Sequence, residues 1–152
     1  MHDLQEIESI KRLKYKYLRC LDLKLWDELS QCFTEDATAA YADGKFSFSG
    51  RDEIMKFLIG AMSSPTVLSA HRVHHPEIEL TGPTTAKGVW MLKDTFTALD
   101  AKMTVRGAGH YHDEYVKVGG EWKIKSTGYE RMYEEVERRG EAIQVTANRF
   151  EK

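Results

Sequence analysis

Five of the six histidines fall on two stretches that read as β-strands: His71, His74 and His75 on one, His110 and His112 on the other. Histidine is the side chain whose unperturbed pKa lies nearest neutrality, so histidines carried inward by strands suit proton transfer. Alternation puts His71 on the face of Ser69, Val73 and His75, and it puts His110 with His112 on one side of the later strand. Gly107 and Gly109 flank His110, and glycines in a strand leave room for close approach or mark a bulge. Asp94 sits on the apolar face of 86–96 with Trp90, Leu92 and Phe96. A carboxylate there costs several kcal/mol unless paired, on the order of the penalty for a buried charge. Arg131, near the end of the last strand, is the cation that could pair with Asp94 or Asp22. Tyr17 and Tyr41 are the tyrosines expected to point inward. A buried phenol needs a partner, and a substrate carbonyl held as an enolate is one such partner.

A metal centre is the competing reading of the histidines. His110-Tyr111-His112 and His74-His75 lack the H-x-x-x-H type of spacing that would make it specific, so no metal is expected. Cys20 and Cys32 form no C-x-x-C pair and read as two buried free thiols.

The elements that must position these residues follow from hydrophobic period. Residues 3–21 repeat at helical spacing through Ile7, Ile10, Tyr17, Leu18 and Leu21. Asp22 then reads as a cap for a short helix over 24–32, which would end the first helix between Tyr17 and Asp22. That break matters, because five residues on an unbroken helix lie about 140° apart. A strand opens at Phe33 and runs to Tyr41. Asp43-Gly44 supplies turn chemistry, and Phe46 and Phe48 alternate on the return. A third helix begins at Gly50-Arg51, with acids in its first turn, and stops at Ser63-Ser64-Pro65. Period-two patterning then marks strands at 67–81, 85–99, 103–118 and 121–133. Helices followed by long strands give an α+β fold, helices laid on one face of a curved, largely antiparallel sheet. One domain spans 1–152, with 133–152 as a charged tail or an arm across a cavity mouth or neighbouring subunit.

With 152 residues and a net charge of −2, the chain has no basic block that would favour nucleic acid. It has no apolar run near the ~18 residues that span a bilayer, and no signal-type leader is apparent. A cytoplasmic protein acting on a hydrophobic small molecule is the expectation, with neither nucleic acid nor membrane as partner.

The ordered set Tyr17-Leu-Arg-Cys-Leu-Asp22, Trp26-Asp27, Gly50-Arg51-Asp52-Glu53-Ile54, His71…His75-Pro76-Glu77-Ile78, Trp90, Trp122-Lys-Ile124 and Gly128-Tyr129-x-Arg131 resembles the SnoaL-like branch of the NTF2-like superfamily. Within it the chain is similar to scytalone dehydratase and bile-acid 7α-dehydratase. The resemblance implies a cone, a bent sheet wrapped around helices with a deep pocket. It implies Tyr17, Asp22, His71 and His110 as catalytic residues, and Tyr41, Asp94, Arg131 and Trp90 as the substrate's contacts. It further implies no cofactor and a homo-oligomer, a trimer as in the dehydratases or a dimer as elsewhere. The activity implied is loss of water from a cyclic β-hydroxy ketone or enone of polyketide or steroid type. An isomerase, a cyclase or a non-catalytic ligand-binding protein on the same scaffold are the alternatives.

Overall fold

Helix α1 (His2–Leu23) is a single unbroken rod whose buried stripe, including Ile10, Tyr17 and Leu21, faces the sheet. The computed structural model describes residues 2–151. The rod passes through Asp22 and ends at Lys24, which turns left-handed at φ 59°. The expected break before Asp22 is absent: the acid is held in the helical last turn by bonds to a neighbouring strand, described below. The second helix is correspondingly shorter than expected, α2 (Trp26–Ser30), with Leu25 rather than Asp22 at its N-cap. Lys24 Nζ donates to the carbonyls of Met62 and Val67 at 2.5 and 2.7 Å. A cation is thereby set on the carbonyl end of α3 (Arg51–Met62).

Strands β1 (Phe33–Tyr41) and β2 (Phe46–Ser49) form the early hairpin, with left-handed Ala42, Asp43 and Gly44 in its turn. The four long strands are β3 (Val67–Gly82), β4 (Thr85–Ala98), β5 (Met103–Val118) and β6 (Glu121–Arg138). The sheet order is β2-β1-β6-β5-β4-β3. Every pairing is antiparallel except β1 with β6, which is parallel, so the six-stranded sheet is mixed and open. The helices pack on its inner face around Phe33, Ile54, Leu58, Trp90, Leu92, Tyr111 and Ile124. Among the described residues no helix is long and apolar enough to cross a membrane.

Bulges decide which side chains face inward. In β3 the register shifts between His74 and Glu77, where His75 has φ 30°, and both His74 and His75 are exposed. His71 and His75 therefore do not share the inner face, although simple alternation puts them together. In β6 the register shifts twice against β5, at Lys125 and at Met132. Gly109 makes the second shift possible, since a Cβ there would lie 2.1 Å from the Glu130 carbonyl oxygen.

β6 continues five residues past the expected end at 133, because it pairs with β5 as far as Arg138 opposite Met103. The remainder, 139–151, has no helix or strand. It is tied back through Arg139 N–H to the Lys102 carbonyl and Asn148 Nδ2 to the Pro65 carbonyl, and the Phe150 ring lies 4.6 Å from Lys24 Nζ.

Candidate active site

Asp22 reaches from the last turn of α1 to β3 and takes three hydrogen bonds there. Its Oδ1 lies 2.6 Å from His71 Nδ1 and accepts the Ser69 hydroxyl at 2.8 Å, while Oδ2 accepts the His71 backbone N–H at 2.9 Å. A carboxylate beside Nδ1 favours the tautomer with its proton on that nitrogen, which leaves the Nε2 lone pair free. His71 lines a cavity of about 230 Å³, and Asp22 stands behind it rather than among the lining residues. This placement resolves the angular problem of Tyr17 and Asp22. The two side chains leave α1 in different directions, and only Tyr17 has to face the cavity.

Tyr17 lines the same cavity from α1 and Tyr41 from the end of β1. Their hydroxyls lie 2.9 Å apart, so one proton is shared between them and the other remains to be donated. Both phenols are held above their ordinary pKa, first by burial; the proximity of Tyr41 and Tyr111 adds to the effect on Tyr17. They therefore stay protonated and act as donors. Phe57 and Leu58 from α3, with Tyr111 and Tyr129 from the sheet, complete a largely aromatic wall.

The third pair is Asp94 with Arg131. The guanidinium donates from Nη1 and Nη2 to Asp94 Oδ1 and Oδ2 at 2.5 and 3.1 Å, a bidentate fork. Gly107 lies between them in the sheet, and a Cβ there would fall 2.3 Å from Nη1. Absence of a side chain at 107 is what lets Arg131 cross β5 to reach Asp94. Arg131 lines the cavity while Asp94 backs it, as Asp22 backs His71.

Two of the expected residues do not join this group. His110 pairs with Met91 and Glu130 in the register and points to the face opposite Tyr111, because Tyr111 and Tyr115 take the inward positions of β5. His112 lies on the same outer face and is exposed. Trp90 does face inward, but it is sealed in the core, donating from Nε1 to the Tyr115 hydroxyl at 2.9 Å, and it is not among the cavity's lining residues.

A buried ion pair below the tyrosines went unanticipated. Lys14 Nζ is 2.8 Å from Asp113 Oδ2, with both side chains fully buried, and it lies 3.4 Å from the centre of the Tyr111 ring and 4.8 Å from that of Tyr17. Asp113 also accepts the hydroxyls of Thr127 and Tyr115 at 2.6 and 2.7 Å. The signal was present: Lys14 is four residues after Ile10 and three before Tyr17, and Asp113 alternates with Tyr111 and Tyr115.

A larger groove of about 590 Å³ lies toward the β3–β4 turn, lined by Glu77, Glu79, Lys87, His112 and Glu114 among others. It contains neither the histidine–acid pair nor the tyrosine pair. Among the described residues no three His, Cys, Asp or Glu side chains are grouped so as to hold a metal ion.

The SnoaL-like domain model matches residues 2–128. A curated relative named "Probable cyclase FGR4", from Gibberella zeae, is 25% identical over 136 residues, covering 82% of this chain and 89% of the relative. Among solved structures, one described as "Putative Scytalone Dehydratase" from Novosphingobium aromaticivorans superposes with TM-score 0.79 at 26% identity, covering 97% of this chain and 95% of that one. The hexachlorocyclohexane dehydrochlorinase LinA-type3 from Novosphingobium barchaimii gives TM-score 0.78 at 16% identity, over 95% and 97% of the two chains, a likeness of fold.

Proposed function

This chain belongs to the SnoaL-like domain family, and from that premise we propose that it is a dehydratase, a carbon–oxygen lyase acting on a cyclic β-hydroxy ketone or enone. The observation that carries the reading is the presence of one oriented base and one phenol pair on a single cavity. His71 is held by Asp22, and Tyr17 is bonded to Tyr41.

In this mechanism the free phenolic proton of the Tyr17–Tyr41 pair is donated to the substrate carbonyl, so negative charge developing on that oxygen is stabilised in place. His71 Nε2 takes a proton from the carbon beside the carbonyl. The C–H electron pair becomes the carbon–carbon bond of the enolate. Collapse of the enolate expels the β-hydroxyl, which leaves as water with the proton that His71 returns. Asp22 stabilises the imidazolium between the two transfers. His110 has no part in this scheme, since it lies on the other face of the sheet, and Trp90 acts only on the core. The transfers run between side chains and substrate, so the scheme invokes no cofactor.

A cyclase or isomerase is the second reading, favoured by the name of the curated relative. Both would use the same base and phenols without losing the hydroxyl. Mass spectrometry of products from a panel of cyclic β-hydroxy ketones separates them. A product lighter by one water supports the dehydratase, and an isobaric product replaces it with the second reading. Exposed Met132, Tyr133 and Val136 on β6 support a homo-oligomer, which sizing of the protein would test. Two buried free thiols suit the reducing cytoplasm.

A further inference from the structure

A guanidinium on the wall of a ligand cavity is the usual receptor for a carboxylate or phosphate, but Arg131 is already engaged. Nη1 and Nη2 are forked onto Asp94, and Nη2 lies a further 3.3 Å from Glu134 Oε1. Two residues three apart on a strand ordinarily face opposite ways. Here the bulge at Met132 resets the alternation, so Arg131 opposite Gly109 and Glu134 opposite Gly107 both line the cavity. Bulges beside sites re-aim side chains, and this one brings a second carboxylate to a guanidinium that the buried Asp94 already neutralises. The side chain of Glu134 is 49% exposed, against 8% for Asp94. Glu134 is therefore the carboxylate that an entering ligand meets. With Asp22 behind His71, three acids stand around this cavity against one guanidinium, and Lys14 beneath the tyrosines is offset by its own partner Asp113.

We propose that Glu134 is a specificity residue that restricts the cavity to uncharged ligands, excluding ring compounds that carry a carboxylate or phosphate. An anion would have to displace Glu134 from Arg131 or sit beside it, and like charges at short range repel. The proposal rests on the cavity identified above and names the charge class of its substrate; it does not depend on which reaction follows.

The test is calorimetric binding of two probes, β-tetralone and tetralin-2-carboxylate, to the wild-type protein and to Glu134→Gln. The ring systems match and the charges differ. The wild type is expected to prefer the ketone, and the substitution to move the carboxylate-to-ketone affinity ratio about tenfold toward the carboxylate. In the wild type the preference should shrink as salt rises, because Glu134 is half exposed and screening reaches it. Equal binding of both probes by the wild type, an unchanged ratio in the variant, or binding of neither probe would each overturn the proposal. Ketone binding without any dehydration of β-hydroxy ketones would remove the lyase reading and leave the charge filter standing.

Discussion

His71 and Asp94 stand directly opposite one another on β3 and β4, yet each is committed to a different partner. His71 bonds to Asp22 on the helix side, and Asp94 bonds to Arg131 across Gly107 on the sheet side. The neutralised Asp94 leaves Asp22 as the acid that sets the tautomer of His71. Asp22→Asn should keep the fold, because an amide still occupies the corner, but it permits the wrong imidazole tautomer. Turnover on a cyclic β-hydroxy ketone should fall by about 10²–10⁴-fold, the usual worth of one positioned proton transfer. Wild-type rates in this variant would show that Asp22 does not orient the base.

The space at residue 107 is as specific as the ion pair that uses it. Gly107→Ala would set a methyl group 2.3 Å from Arg131 Nη1, so the guanidinium must leave Asp94. Overpacking of this kind costs about 1–3 kcal/mol, and urea unfolding should report it. Gly60→Ala on α3 is the control. Nothing lies within 4 Å of its Cβ position, and it should gain about 0.4–1 kcal/mol. Equal effects at the two glycines would refute the special role of 107.

Lys14 and Asp113 should behave as a buried pair does. Lys14→Met leaves a carboxylate with no cation in the core and should destabilise by about 3–5 kcal/mol. Replacing both, as Lys14→Met with Asp113→Leu, should recover part of that loss. A single substitution without effect on the unfolding midpoint would mean that the pair is not charged in the folded protein.

Tyr17, Tyr41, Tyr111, Tyr115 and Tyr129 are all held above the phenol's ordinary value of 10, with burial the leading cause in each. A folded-state pKa above the unfolded one means that the native state binds more protons once pH passes 10. The stability these groups contribute is thus fully present below pH 10 and is lost as pH rises beyond it. Urea midpoints should fall above pH 10, and phenolate absorbance from these five should appear together with unfolding. Ionisation of these five tyrosines in a folded protein would contradict the burial described here.

Much of this architecture was legible in the chain, and the exceptions share a cause. Period-two patterning found all four long strands, and the Asp43-Gly44 turn and the third helix lie where turn and capping residues put them. Alternation failed only where a bulge intervened. His75 is displaced from the face of His71 by a bulge, whereas His110 and His112 do share one face, which is the outer one because the larger apolar Tyr111 takes the inward position. Glu134 faces inward because β6 bulges at Met132, which no local pattern announces. Asp22 was found by type and place, but its helix does not break, since three bonds from β3 hold the acid in the last turn. That stabilisation is tertiary and lies outside any window of sequence.

Cys32 offers a further check on the interior. Burial pushes its thiol up to about 11, so alkylation near neutral pH should be slow until the protein unfolds. Rapid labelling of Cys32 in the native state would mean that the α2–β1 corner opens more readily than its packing indicates.

The central claim is that His71 Nε2 removes a proton beside a carbonyl bound by the Tyr17–Tyr41 pair. Deuterium exchange into β-tetralone, followed by NMR in heavy water, reads that step without knowledge of the natural substrate. The wild-type protein should accelerate exchange at the carbons beside the carbonyl, and His71→Ala, with its fold intact by circular dichroism, should lose about 10²–10⁴-fold of that acceleration. Exchange by the His71→Ala protein at the wild-type rate would contradict the account.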